Sequence, residues 1–375
     1  MSDHGGWEVT TWGAVSDLRY GKALRGYRET GGDVPVFGTN GPVGFTDTPQ
    51  TNGPGVIIGR KGAYRGVHYS EGPFWVIDTA FYLAPKQVMD MRWAYYRLQL
   101  ADINGLDSGS AIPSTTRESF GAIAVSIPPL PEQQAIAEVL GALDDKIAAN
   151  TALTSTAAFA AKLEYRSALS DGALEFTVAE ASTAIARGIT PRYVPDGEGT
   201  RVLNQKCVRD QLVSLEPSRW TDDSKVKREK LVAVDDVLVN STGQGTLGRV
   251  ARWTVQEVAT VDSHITIVRP DPNVSDTAVI GQAILAIEAE IEARGEGSTG
   301  QTELSGVELG RARIQVPSRE RAERLGTTLR ALTASQDSAR AENLVLAAMR
   351  DALLPQLMSG KLRIREAEQA VSEVV

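Results

Sequence analysis

One cysteine, Cys207, stands among 375 residues, so no internal disulfide can form, which suits a reducing compartment. No apolar run approaches about 18 residues, so no membrane-spanning helix is expected. The opening Met1-Ser2-Asp3-His4-Gly5-Gly6 lacks the basic stretch and apolar run of a secretory signal, and a cytoplasmic location is expected. Three scattered histidines (His4, His68, His264) and one cysteine make a zinc site an improbable expectation. There is no G-x-x-x-x-G-K-[ST] run, hence no Walker-type nucleotide site. The stretch Gly38-Thr39-Asn40-Gly41-Pro42-Val43-Gly44 fits no dinucleotide fingerprint and reads as loop. No Asn-Pro-Pro-aromatic tetrad is present, and Asp144-x-Lys146 has no acidic partner motif beside it. Positive charge is also short, 39 Lys and Arg against 47 Asp and Glu for a net −8, which argues mildly against a nucleic-acid binder. Net charge hides distribution, however. Arg19, Lys22, Arg25 and Arg28 cluster near the start, Arg60, Lys61 and Arg65 follow, and Lys225, Lys227, Arg228 and Lys230 gather later. Taken alone, such clusters read first as solvated surface.

What is present is length for two or three domains, with 42% hydrophobic and 23% charged residues, as in soluble globular proteins. The most informative feature is an approximate internal duplication. Each half runs from a short amphipathic helix (Val9 to Leu18; Thr177 to Ile185) through a strand-rich region to a long helix. Val56-Ile57-Ile58-Gly59-Arg60-Lys61-Gly62 resembles Val237-Leu238-Val239-Asn240-Ser241-Thr242-Gly243. Trp75-Val76-Ile77-Asp78 resembles Ala259-Thr260-Val261-Asp262, and Ile123 to Pro128 resembles Arg311 to Pro317. Two copies are too few for a solenoid and point to a pseudo-two-fold molecule.

Each half ends in a helix with a 3.5-residue seam, the coiled-coil period. The first starts at Pro131, where a missing N–H costs nothing, with Glu132 favoured by the helix dipole and Gln133 next to it. Its seam is Ile136, Leu140, Leu143, Ile147, Asn150, Thr154, Ala157 and Ala161. The second runs Leu325, Leu329, Leu332, Gln336, Ala339, Asn343 and Leu346, breaks at Arg350, and resumes at Leu353 and Leu357. Helices of roughly 35 to 40 residues would be about 55 to 60 Å long. Neither buries its stripe alone, and antiparallel packing follows from the duplication. The polar seam residues Asn150, Gln336 and Asn343 would fix register. An ordinary helix pair inside a helical domain is the plainer alternative. Leu353-Leu354-Pro355 followed by Gly360 reads as a stop, and the charged tail beyond Arg365 as frayed.

The run Ile127-Pro128-Pro129-Leu130-Pro131-Glu132-Gln133-Gln134-Ala135-Ile136-Ala137, continuing to Leu143-Asp144-Asp145-Lys146-Ile147, resembles the central helix signature of type I restriction–modification specificity subunits. Leu353 to Leu362 resembles the ending of their second helix. The layout is similar over nearly the whole chain. One departure is that Ser318-Arg319-Glu320-Arg321-Ala322 replaces the Pro-Glu-Gln-Gln opening in the second helix. The resemblance implies an α+β fold, with two strand-rich target recognition domains, short helices within them, and two long antiparallel coiled-coil helices between. The expected boundaries are 1–128 and 171–316 for the recognition domains, 129–170 and 317–360 for the spacer helices, and 361–375 for a charged tail. It implies a subunit with no catalytic centre that reads a bipartite site on double-stranded DNA. Methyltransferase subunits carrying S-adenosylmethionine, and a motor–nuclease subunit using ATP and Mg, are the implied partners; this chain would bind none of those cofactors. A spacer of about 55 Å could hold two readers one or more duplex turns apart, each turn being about 34 to 36 Å.

Base edges are read by Arg, Lys, Asn, Gln, Ser and Thr, while most remaining contacts go to phosphates. Loop positions of these types give Lys22, Arg25, Thr39, Asn40, Arg60, Lys61, Tyr64 and Arg65 in the first domain. In the second they give Arg187, Thr190, Arg192, Asn204, Gln205, Lys206, Ser241, Thr242, Gln244 and Arg249. A structural loop role is the alternative for each. His264 reads as a satisfied core histidine, and Asp78 and Asp262 as turn braces. Docking of partners falls to the helices, through Pro131, Glu132, Gln133, Ile136, Leu140, Leu143, Ile147, Leu325, Leu329, Leu332, Leu353 and Leu357. Three other readings stay open at this point: a coiled-coil scaffold whose β-rich domains bind proteins, the specificity subunit of a fused restriction or phage-defence system, and a stand-alone nuclease.

Overall fold

The computed structural model describes residues 6–29, 31–106, 113–170, 172–295, 303–372 and 374; His4 lies outside them. By compactness the chain divides into a first unit of Met1–Ala149 with Asn343–Val375, and a second of Asn150–Glu342. Each long helix is thus shared between units, where the sequence suggests a separate spacer.

The first unit is built on an antiparallel sheet in the order Ser16–Tyr20, Ala80–Pro85, Gly55–Gly59, Val67–Ser70. All five residues of Gly55–Gly59 are buried, as expected of an apolar strand covered on both faces. Val56 and Ile58 join the core with Trp93, Tyr96 and Leu98 of the helix Met91–Gln99. Ile57, on the opposite face, packs with Phe37 and Val76 of a second, three-stranded sheet and with Phe74 just ahead of its last strand. The helix is started by Asp90, whose carboxylate accepts from the Trp93 N–H at 2.8 Å. Outside both sheets, Glu8–Thr11 pairs antiparallel with Ala124–Ile127.

The second unit repeats this plan. Its main sheet runs Ser182–Arg187, Ile265–Pro270, Val237–Asn240, Val250–Arg252, again antiparallel. A second sheet, a helix Thr277–Ala286 and an outer pair of Ala173–Thr177 with Arg313–Pro317 complete it. In both units the second sheet contains one parallel pairing, Phe37 with Val76 and Leu203 with Val261.

Two expectations need correction here. The short amphipathic helix is strand, one helical turn (Trp12–Val15), then strand in the first unit, and strand, turn, strand in the second. Alternation and helical spacing look alike over so few residues. The repeat register near Trp75 is also shifted by one. The Gly21 N–H bonds the Ala80 carbonyl and that of Gly188 bonds Ile265, so Asp78 corresponds to Ser263, and Thr79 to His264. The pairing of Gly59 with Ala80 and of Asn240 with Ile265 upholds the other register, so Arg60 corresponds to Ser241 and Lys61 to Thr242.

The long helices span Leu130–Leu169 and Arg319–Met358 and pack antiparallel. In the first unit Arg350 pairs with Asp144 at 2.8 Å, and the Asn343 amide donates to the Ile147 carbonyl at 3.3 Å. In the second the Asn150 amide donates to Glu342 at 2.7 Å, and the Gln336 amide to the Thr154 carbonyl at 2.9 Å. One number falls as the other rises, and all three polar seam residues bond across the pair, which fixes register. Ile136, Leu140, Leu143, Leu325, Leu329, Leu353 and Leu357 are buried, and Ile147 and Leu332 half-buried. The second helix runs through Pro355 to Met358, within the expected stop at Gly360. It ends at Gly360, whose φ of 65° is left-handed, with the Lys361 N–H closing on the Gln356 carbonyl. The tail is not frayed over its described length: Ile364–Ser372 is a helix that buries Ala367 and Val371 in the first unit's core.

The two helix starts differ. Gln133 is buried, donates to the Pro128 carbonyl at 2.9 Å and accepts from the Asp90 N–H at 3.0 Å. Glu132 accepts from the Trp7 indole at 3.1 Å, while Pro131 stays exposed. In the second unit the place of Gln133 is taken by buried Ala322, behind surface pairs Arg319–Glu323 and Arg324–Glu320.

Candidate nucleic-acid interface

In the first unit the sheet ends in a group of tied loops. The Thr39 hydroxyl donates to the Thr79 carbonyl at 2.6 Å and the Lys61 carbonyl at 3.0 Å, and the Asn40 amide bonds the Thr39 and Tyr64 carbonyls. Lys61 bridges to Ser114, and the Arg60 carbonyl accepts from the Thr115 N–H. Five predicted residues, Thr39, Asn40, Arg60, Lys61 and Tyr64, therefore meet at one tip. Lys22 reaches it through its backbone, bonded to Val76 and to the Trp75 indole; Arg25 is exposed on the loop beyond. Arg60 lies 4.9 Å from the Tyr20 ring and 5.7 Å from that of Phe81, and Arg117 lies 4.9 Å from Tyr20. None of Arg19, Lys22, Arg25, Arg60, Lys61 and Arg117 pairs with a carboxylate among the described residues. The tip is thus a cationic surface on an acidic chain.

Arg65 corrects the prediction: it is 1% exposed, and donates to the Ile103 and Asn104 carbonyls at 3.0 and 2.6 Å. It braces the loop from inside. Tyr20 and Arg117 were not foreseen. No local pattern marks them, since they lie far apart in sequence and meet only on folding.

The second unit's tip is built alike but carries different groups. Thr242 bonds the exposed His264 ring at 2.8 Å, and the Gln205 amide donates to Thr242 at both its carbonyl and hydroxyl, each at 2.7 Å. His264 is therefore at the surface, contrary to its reading as a core residue. Asp262 does brace its turn, accepting from the His264 N–H at 2.9 Å. Thr190, Arg192, Lys206 and Gln244 are exposed, Arg192 paired with Asp222, and Arg249 donates to the Gly245 carbonyl. Three predicted contacts are structural. Ser241 is fully buried against Thr266 at 2.5 Å. Asn204 caps the turn Gln205–Cys207 and donates to the Pro217 carbonyl. Arg187 is engaged by Glu303 at 2.6 Å and by the Leu304 and Ser263 carbonyls.

No group of three or more metal-ligating side chains occurs among the described residues, and no helix among them is long and apolar enough to cross a membrane.

Duplicated strand-rich units joined to two long antiparallel helices are also the fold of the type I restriction–modification system S subunit from M. genitalium. Its crystal structure matches with a TM-score of 0.67 over 95% of this chain and 97% of that one, at 17% identity. Residues 4–156 match the family described as type I restriction modification DNA specificity domain. The type I restriction enzyme EcoprrI specificity subunit of Escherichia coli is 26% identical over 140 residues, 36% of this chain; the match spans only 35% of that curated relative's length. Within residues 4–156 the chain is thus similar in sequence to the type I DNA specificity domain family, and over 95% of its length it shares the fold of one type I S subunit.

Proposed function

We propose that the chain is the DNA-reading subunit of a type I restriction–modification complex, each unit reading one half of a bipartite site on double-stranded DNA. The observation that carries this is one scaffold built twice that presents different side chains at equivalent tip positions: Arg60 against Ser241, Lys61 against Thr242, Thr79 against His264. Conserved support with varied tips is what two readers of unlike sequences require. In this reading the long helices set the gap between half-sites and dock methyltransferase subunits, the anchored start at Pro131–Gln133 being one such place. Catalysis belongs to the partners: S-adenosylmethionine on the methyltransferase, ATP and Mg on the motor–nuclease, all in the cytoplasm.

The test is to co-express the chain with the methyltransferase subunit of its own system and map methylated adenines. Two short specified segments flanking an unspecified gap are expected. Methylation at a continuous motif, or none that depends on this chain, rejects the reading.

A further inference from the structure

Both tips tie one arginine to the same backbone carbonyl, yet that arginine comes from a different strand in each. In the first unit Arg60, at the end of Gly55–Gly59, donates through Nη1 to the Asp78 carbonyl at 3.1 Å. In the second, Arg187, at the end of Ser182–Arg187, donates through Nη1 to the carbonyl of Ser263, the equivalent residue, at 3.3 Å. Arg187 is then closed off, its Nη2 on the Leu304 carbonyl at 3.1 Å and on Glu303 at 2.6 Å. Arg60 is not. Its other nitrogens take no acceptor, and no carboxylate pairs with it among the described residues.

We infer that Arg60 reads a guanine in the half-site of the first unit, and that the second unit offers no arginine free to read a base at this place. The inference rests on the DNA-reading function proposed above and adds the base and the residue. A guanidinium fixed by a carbonyl and by the Tyr20 and Phe81 rings loses little freedom on binding, and its planar fork matches the O6 and N7 acceptors of guanine. A phosphate is the other natural partner of an arginine. Asp78, exposed on the turn that supplies the carbonyl, adds an acidic residue to that turn, a poorer neighbour for a phosphate than for the neutral guanine edge. Lys22 and Lys61, flexible and exposed nearby, are better suited to the backbone. In the second unit the corresponding Ser241 is buried, and the tip offers Gln205, Thr242 and His264.

The test compares wild type, Arg60→Gln and Arg60→Lys, each co-expressed with the methyltransferase subunit, by methylated-adenine mapping and by binding of the complex to the mapped duplex at several salt concentrations. Wild type should show a fixed G in one half-site. Both variants should relax that position alone, lowering discrimination by about 10- to 100-fold, with the other half-site intact. Melting temperatures should fall only slightly, since Arg60 is half-buried and loses one turn hydrogen bond and its ring contacts. The inference is overturned if Arg60→Gln weakens all sequences alike with a shallower salt dependence and Arg60→Lys restores binding, the mark of a phosphate contact. It is equally overturned if the relaxed position is not G or if the motif is unchanged. A wild-type chain without any bipartite motif would fail the parent reading, and this inference with it.

Discussion

The two units share a main-sheet order, a parallel pairing in the second sheet and a helix behind the first, yet they treat the tip arginine differently. The first leaves Arg60, Lys61 and Arg117 without carboxylates and steadies two of them on Tyr20. The second pairs Arg187 with Glu303 and Arg192 with Asp222, and leaves Lys206 and Arg249 without a carboxylate among the described residues. The lesson is that a common scaffold fixes where a tip lies, while the tip's chemistry is set by which strand delivers the charged residue and what waits beside it.

The comparison can be broken most severely at the core. Leu143 is fully buried in the first unit, and Leu143→Asp should cost about 4 kcal/mol or more by burying an unpaired carboxylate. Proteolysis with mapped fragments should show the first unit digested and the second surviving; a variant as folded and protease-resistant as wild type would count against the helix pairing. A middling effect is expected at Arg65→Ala, which strands two carbonyls and should cost roughly 2 kcal/mol. Thermal melting should fall while the methylation motif stays unchanged, the reverse of Arg60→Gln; the opposite pattern would put the reader at the wrong arginine. Glu303→Gln should release Arg187 and bring the second tip closer to the first. The salt dependence of binding would steepen by roughly one counterion, and an unchanged slope would mean that the backbone carbonyls alone hold Arg187.

The smallest effect concerns pH. Burial holds the His68 imidazole below its ordinary pKa, and its Nε2 has no partner; the equivalent residue in the second unit is Ala251. As pH falls through about 6.5 the unfolded chain takes the proton first, so the stability present above that value is lost on acidification. Melting of the first unit should therefore drop between pH 7 and 5, and less so in His68→Leu. An identical drop in that variant would move the acid sensitivity elsewhere.

Much of this was legible beforehand. The 3.5-residue seam gave the paired helices because each polar interruption, Asn150, Gln336 and Asn343, kept the period. The run through Pro131-Glu132-Gln133-Gln134 carried the family resemblance, and in the structure Gln133 is wired into the fold at both ends. The tips were legible only as loops. Arg60 and Arg65 look alike in sequence, yet one lies on rings at the surface and the other inside, a difference set by Tyr20 and Asn104 from distant segments. Ser241 reads as a base contact, but it directly follows a strand whose partner supplies Thr266. The tail has few apolar residues, and only their spacing at Ala367 and Val371 lets one face pack.

The division of the chain also has a temporal side. The second unit is continuous, Asn150–Glu342, and can complete its contacts as soon as that stretch is made. The first must wait for residues 343–375, because Leu346, Leu353, Leu357, Ala367 and Val371 finish its core. During synthesis the earlier half is thus the later to mature, holding apolar surface open while its successor folds.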